Sequence, residues 1–183
     1  MLLTKKVYRS AFLEAIKANG LTVYFNRNGH FILIKGKDSS RIVSVEFVSS
    51  TRINPVLQGS HNNNVVNGIG HFKFTIPKLN KINYYVFAFL NNIIHEIEFV
   101  IIPDAVLRNR FQNQNPIQEG AKKAELTLWL MNRKVCDTTN LSIEGEWYFL
   151  SKRNSGYCMA DGGEMDYSIY LNNWNELFNM FSE

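Results

Sequence analysis

Hydrophobic and polar positions divide the first part of the chain into short, clearly bounded elements. Residues 5–19 repeat apolar side chains at helical spacing and end at an Asn-Gly stop, which predicts an amphipathic helix. Residues 21–25 and 31–35 are short apolar runs separated by polar turn residues, which predicts neighbouring antiparallel strands. Residues 41–50 are β-branched and aromatic on both faces, and this pattern is typical of a central strand.

The middle of the chain returns to strand patterns after a polar interruption. Residues 52–70 are rich in Asn and Gly and predict a long loop, whose Asn and His side chains suit contacts with bases or phosphates. A flexible connector is the alternative interpretation of this segment. Further strands are predicted at 71–76, 84–90 and 98–102. Pro103-Asp104 predicts the start of a helix that continues through residue 111.

The last third of the chain has a less regular pattern. Residues 112–121 are polar and contain Pro and Gly, which predicts a linker. Residues 123–133 alternate leucines as a strand does, although their composition favours a helix, and we interpret them as a strand. Residues 144–150 are predicted to form a strand, and an apolar stripe over 170–181 predicts a closing helix.

Together these elements predict one domain that spans all 183 residues. Its fold class is expected to be α+β or α/β, with a mixed central sheet that is flanked by helices. Strands 41–50 and 84–90 are predicted to be central, because both faces of each are apolar. The core is predicted at 5–111, whereas 122–183 is predicted to extend the sheet and add the closing helix.

Charge, hydropathy and cysteine content narrow the functional classes modestly. The formal net charge of +4 fits an anionic partner such as DNA. The apolar run at 84–90 is far shorter than the roughly 20 residues that cross a bilayer, so no membrane partner is expected. Cys136 and Cys158 are the only cysteines, and we predict two reduced thiols in a cytoplasmic protein. The sequence leaves a homodimer open.

Two segments resemble the core of the PD-(D/E)xK nuclease superfamily, also called restriction-endonuclease-like. The hairpin FILIKGKDSSRIVSVEFVSST is similar to the two metal-site strands of that family. HFKFTIPKLNKINYYVFAFLNNIIHEIEFVIIP is similar to the aromatic strand, apolar strand and Ile-Pro ending of many bacterial members. The likeness covers mainly residues 5–111. It implies a restriction-endonuclease-like fold and the Mg²⁺-dependent hydrolysis of DNA phosphodiester bonds, with acids that hold the metal and a lysine that steadies the nucleophile.

The family motif can be placed on this chain in two registers. In the direct register, Glu46 stands where the second acid belongs, His30 or Phe31 at the first acid's place and Val48 at the lysine's place. In the other register, Glu46 is the first acid and His71-Phe72-Lys73 stands for the (D/E)xK tripeptide. The resemblance therefore implies Glu46, His71 and Lys73 as catalytic residues.

Further site residues follow from the same resemblance. The implied metal ligands are Glu46, Glu14 and Asp38. Mg²⁺ prefers oxygen ligands, so a histidine is a poor substitute for an acid. Nucleic-acid contacts are expected from Arg52, Asn62, Asn63 and Lys73. A Mg²⁺-dependent endonuclease and a non-catalytic relative that binds DNA or a partner protein are both open, as is an α+β protein without a nucleic-acid role.

Overall fold

The computed structural model describes residues 4–25, 30–35, 41–50, 67–76, 82–112, 122–131, 134–137 and 166–181. In chain order, the elements are α1 (Lys5–Ala18), β1 (Leu21–Phe25), β2 (Phe31–Lys35), β3 (Ile42–Ser49), β4 (Gly68–Ile76), β5 (Tyr84–Asn91), β6 (Glu96–Pro103), α2 (Asp104–Gln112), β7 (Lys122–Met131), β8 (Lys134–Asp137), a 3-10 turn (Ser168–Tyr170) and α3 (Trp174–Asn179).

The described strands form two sheets in an α+β architecture. The first sheet has the order β1-β2-β3-β5-β6, and the second has the order β4-β7-β8. β3 and β5 pair in parallel, whereas the other neighbours in the first sheet are antiparallel. The prediction of a mixed sheet with 41–50 and 84–90 among its central strands is therefore confirmed. Helix α1 also begins and ends close to its predicted bounds.

The second sheet differs from the prediction that residues 122–183 extend the central sheet. β7 pairs with β4 along its whole length, and β8 pairs with β7. Both β4 and β7 alternate between buried and exposed side chains over much of their length. A strand with one solvent-exposed face does not fit inside a sheet that is covered on both faces. β4, β7 and β8 therefore form a second sheet, which packs on the first as a separate layer.

Two apolar cores lie on opposite faces of the five-stranded sheet. Alternate residues of β5 contribute to each: Tyr84, Val86 and Ala88 belong to one core, and Tyr85, Phe87 and Phe89 to the other. Helices α1 and α3 complete the first core. The second sheet and α2 complete the second core. The strand is buried on both sides because a layer packs against each face.

The segment 166–181 connects the two layers of sheet at their edges. Asp166 forms an isolated bridge with Cys136 of β8, and Leu171 forms one with Val100 of β6. The chain then enters α3, and Leu177 of this helix and Phe181, two residues after its end, are buried against the first core. The predicted closing helix is confirmed from residue 174 onward. Tyr170 lies instead in the 3-10 turn and packs against the second core.

Two buried ion pairs involve α2: one lies within the helix, and the other joins it to β8. Arg108 Nε donates to Asp104 Oδ2 one turn earlier in the helix. Arg110 Nε donates across 2.9 Å to Asp137 Oδ2 at the end of β8, where the Asp137 side chain has no exposed area. The second pair therefore joins α2 to the second sheet through a charge contact that excludes water.

Cys136 is fully buried and disulfide-bonded, so the prediction of reduced thiols is wrong for this residue. The other cysteine, Cys158, lies outside the described residues, as do the predicted strand 144–150 and most of the predicted linker and long loop. In the part of the chain that the structure describes, no helix is long and apolar enough to span a membrane.

Candidate functional site

Glu46 and His30 meet on neighbouring antiparallel strands. Phe31 of β2 pairs with Val45 of β3, so the next position along the ladder places His30 beside Glu46. His30 Nδ1 and Glu46 Oε2 are in direct contact, and both side chains are about four-fifths buried, with 20% and 24% exposed. His30 is one of the two residues, with Phe31, that the direct register of the family motif places at the first acid's position.

The charge of Glu46 is set by opposing effects. Burial raises the pKa of the Glu46 carboxyl above its usual value, whereas the contact with His30 and the Lys5 ammonium lower it, and the net shift is upward. Tyr85 is the register partner of Glu46 on β5. Burial, first of all, raises the pKa of Tyr85, and the carboxylates of Asp104 and Glu46 raise it further. The Tyr85 hydroxyl is therefore a neutral group that donates to the Thr75 carbonyl.

The raised pKa of Glu46 makes a prediction about stability. A folded-state pKa above the unfolded value gives stability that is present below the unfolded pKa and is lost as pH rises through the folded pKa. We therefore expect Glu46→Gln to gain stability relative to the wild type between about pH 4 and about pH 7. Urea unfolding at both pH values measures the difference. Glu14→Gln, on the exposed surface of α1, is the matched control for the loss of a carboxylate.

The structure does not bring His71 to Glu46, since β3 and β4 belong to different sheets. The His71 backbone N–H donates across 3.1 Å to Ser50 Oγ, and its ring contacts Thr127 Oγ1 at 3.2 Å. Ser50 lies four residues beyond Glu46, which is roughly 13 Å along an extended chain. The second register of the motif thus places its acid and its histidine at separate points of the molecule.

Lys73 lies on the outer face of the second sheet. Its side chain is 67% exposed, and its Nζ contacts Glu125 Oε1 at 2.6 Å. Neighbouring residues of β4, Phe72 and Phe74, point inward to the second core. Lys73 is therefore directed to solvent, away from the sheet that carries Glu46, and it has a surface carboxylate as its partner.

The described residues do not fit a Mg²⁺ site around Glu46. Its Oε2 contacts an imidazole nitrogen, whereas Mg²⁺ prefers an octahedral set of oxygens. Glu14 is exposed on α1, nine residues and roughly 13 Å along the helix from Lys5. Nowhere in the described ranges do three His, Cys, Asp or Glu residues form a group that could hold a metal. Outside those ranges lie Asp38, Arg52, Asn62 and Asn63.

A second surface, which we call the basic–aromatic surface, lies where α1 meets β1. It consists of Lys5, Lys6, Arg9 and Phe25, together with Tyr24 on the opposite face of the β1 edge. The rings of Tyr24 and Phe25 are 55% and 50% exposed, and the Arg9 guanidinium lies 4.3 Å from the centre of the Phe25 ring. Phe25 is the register partner of Phe31, the residue after His30, so this surface borders the His30–Glu46 pair.

Sequence reasoning missed this surface although its residues are plain in the sequence. The helical pattern directs the basic residues toward solvent or a cleft, and the pattern of residues 21–25 indicates only a short strand. The missing information was that Arg9 reaches Phe25, since helix and strand meet through a turn at Gly20, where φ is +74°. Basic residues before a strand that ends in two aromatic residues are the signal that could have found it.

Comparison of the chain with known proteins gives no match among family models, curated proteins or solved structures. The resemblance to the PD-(D/E)xK superfamily therefore stays a prediction. The function has to be inferred from the residues and contacts described above.

Proposed function

We propose that the protein is a non-catalytic, restriction-endonuclease-like protein that binds DNA through the basic–aromatic surface. The observation that carries this proposal is the Arg9 guanidinium over the half-exposed Phe25 ring, beside Lys5 and Lys6. The charged residues of α1 are Lys5, Lys6, Arg9, Glu14 and Lys17, so four of five are basic. A helix with this charge attracts a phosphate backbone and releases counterions when it binds.

The exposed rings favour single-stranded DNA as the ligand. Unpaired bases stack on aromatic side chains and on Arg guanidinium planes, and each stacked base contributes about 1–3 kcal/mol. Tyr24 and Phe25 lie at the end of β1, the edge strand of the first sheet. Their rings point to opposite faces of this strand, so a nucleotide chain that crosses the edge can reach both.

Binding of labelled oligonucleotides tests this proposal. We expect the wild-type protein to bind single-stranded DNA at about 50 mM salt, and its affinity to fall steeply as salt rises. Phe25→Ala is expected to weaken binding by about 1–3 kcal/mol without changing the salt dependence, because a stacking ring is lost and no charge is removed. Fluorescence anisotropy measures both quantities.

Ile42→Ala is the matched control for Phe25→Ala. Ile42 is also a large apolar side chain on the first sheet, with 57% of its surface exposed, but it is not part of the basic–aromatic surface. Its replacement should leave the affinity unchanged. Absence of binding at low salt, or an equal loss in both variants, would contradict the proposal.

A Mg²⁺-dependent endonuclease is the second candidate function. It is favoured by the position of the His30–Glu46 pair at the border of the basic–aromatic surface. If the protein is non-catalytic, as proposed above, it should not cleave single-stranded or duplex DNA with Mg²⁺ or Mn²⁺, since the described partner of Glu46 is a nitrogen. Glu46→Ala should bind DNA as well as the wild type or better, because a negative charge is lost. Cleavage that Glu46→Ala abolishes would establish the nuclease instead.

The cytoplasmic location and a homodimer stay predictions. The disulfide at Cys136 is typical of compartments more oxidising than the cytoplasm. The proposal concerns the binding surface of one chain.

A further inference from the structure

A cavity of about 440 Å³ lies between the two sheets, at the end that carries the β5–β6 turn. Its volume is within the range of small-molecule sites. Its polar lining includes Asn67, Asn91, Glu98 and Asn172. Asn91 lies six residues beyond Tyr85, the partner of Glu46, which is roughly 20 Å along β5. The cavity is therefore separate from the His30–Glu46 pair and from the basic–aromatic surface.

Glu98 is the central group of this cavity. It is 9% exposed, and both of its carboxylate oxygens accept hydrogen bonds from side-chain amides. Asn91 Nδ2 donates to Oε1 across 3.1 Å, and Asn172 Nδ2 donates to Oε2. Both donors are neutral, and among the described residues no basic side chain pairs with Glu98. A buried carboxylate that has only neutral partners favours a cation in the space beside it.

The two amides are held in place by the backbone. Asn91 Oδ1 accepts hydrogen bonds from the N–H groups of Ile93 and Ile94 in the turn after β5. Asn172 Oδ1 accepts from the Phe99 N–H across 2.9 Å, and Asn172 itself adopts a left-handed φ of +49°. These contacts direct both amide nitrogens to Glu98 and fix the orientation of its carboxylate.

The rest of the lining is apolar or acidic. Ile94, Leu130 and Leu171 supply an apolar wall, and the exposed Glu96 adds a second negative charge. Among the residues that the structure describes, the lining contains no basic side chain. We infer that this cavity binds a small amphipathic organic cation, with an ammonium or guanidinium group on Glu98 and a short aliphatic body against the apolar wall. This inference does not depend on DNA binding.

A titration of the ¹⁵N-labelled protein followed by NMR tests this inference, with n-pentylammonium as the probe. We expect chemical-shift changes at Ile94, Leu130 and Asn172. The neutral analogue 1-pentanol, which keeps the aliphatic body, should bind roughly tenfold or more weakly, because it lacks the charge that pairs with Glu98. Equal responses to both compounds, or no response to n-pentylammonium, would overturn the inference. A response to calcium chloride alone would replace the organic cation by a metal ion and also overturn it.

Substitutions test whether the buried carboxylate of Glu98 is the group that binds n-pentylammonium. Glu98→Gln keeps the shape and an acceptor oxygen, and it should weaken n-pentylammonium binding roughly tenfold or more. Glu96→Gln, on the exposed part of the lining, should have a smaller effect, and Glu125→Gln, on the outer face of the second sheet, should have none. Unchanged binding by a folded Glu98→Gln variant would overturn the inference. If that variant does not fold, the comparison of n-pentylammonium with 1-pentanol on the wild type decides.

Discussion

Replacing Lys5, Lys6 and Arg9 together by glutamine is expected to weaken DNA binding about a hundredfold at low salt. Each basic residue that contacts a phosphate releases counterions, so the loss of three contacts should also reduce the slope of log affinity against log salt by about two. Glutamine has a helix propensity similar to that of lysine and arginine, so α1 should stay intact. Anisotropy titrations at several salt concentrations measure both effects.

The control for this variant removes the same kind of charge from another face. Lys73→Gln with Lys123→Gln affects the outer face of the second sheet, where Lys73 already pairs with Glu125. We expect a small change in affinity, from the lower net charge alone. A large loss in this control, with an unchanged slope in the α1 variant, would move the DNA-binding surface to Lys73, as the sequence predicts.

Asp137→Ala is expected to reduce the free energy of unfolding by about 3–5 kcal/mol. The substitution leaves Arg110 charged and only 6% exposed, without the carboxylate that its Nε contacts at 2.9 Å. Removal of one partner of a buried pair is costly because the other charge stays out of water. Urea unfolding measures the change, and α2 and β8 should be the elements that lose protection from hydrogen exchange first.

Two further variants test whether the large loss of stability is specific to a buried ion pair. Glu125→Ala breaks the exposed pair with Lys73 and should cost less than about 1 kcal/mol. The double variant Arg110→Met with Asp137→Leu should recover most of the stability, since replacing a buried pair with apolar residues is often neutral. A cost for Asp137→Ala no larger than that for Glu125→Ala would contradict the assigned role.

Local pattern was sufficient to predict the central part of the fold. β3 and β5 have apolar residues on both faces, and this property alone places a strand between two layers. Pattern could not show which sheet β4 and β7 join, because one-faced strands fit the edge of one sheet or a second layer equally well. Their pairing joins residues as far apart as Gly68 and Leu130, and this information is absent from any local window.

Glycines explain why β4 is longer than predicted. Gly68 and Gly70 were assigned to a loop, yet both lie in β4. A Cβ atom on Gly68 would lie 2.5 Å from the Leu90 carbonyl oxygen, and one on Gly70 would lie 2.3 Å from the Phe72 ring. The two glycines leave room for the Leu90 backbone of the first sheet and for the Phe72 ring of the same strand rather than forming a turn, and composition does not distinguish these two uses.

The candidate site was predictable only where a single residue broke a pattern. Glu46 is conspicuous as an acid in an apolar strand, whereas its contact with His30 was not predicted, since His30 and Phe31 were both left open as the first acid's place. The contact of Arg9 with Phe25 joins a helix to the following strand, and Glu98 meets Asn172 across 74 positions. Neither contact has a periodic signal, because both depend on how separate elements pack.

Chemical-shift mapping of the ¹⁵N-labelled protein with single-stranded DNA tests the central claim most directly. Binding through the basic–aromatic surface predicts that the backbone amides of Lys6, Arg9, Tyr24 and Phe25 shift at the lowest DNA concentrations. The amides of Lys73 and Glu125, on the outer face of the second sheet, should stay unchanged. Shifts that are confined to Lys73 and its neighbours, or no shifts at about 50 mM salt, would contradict the account.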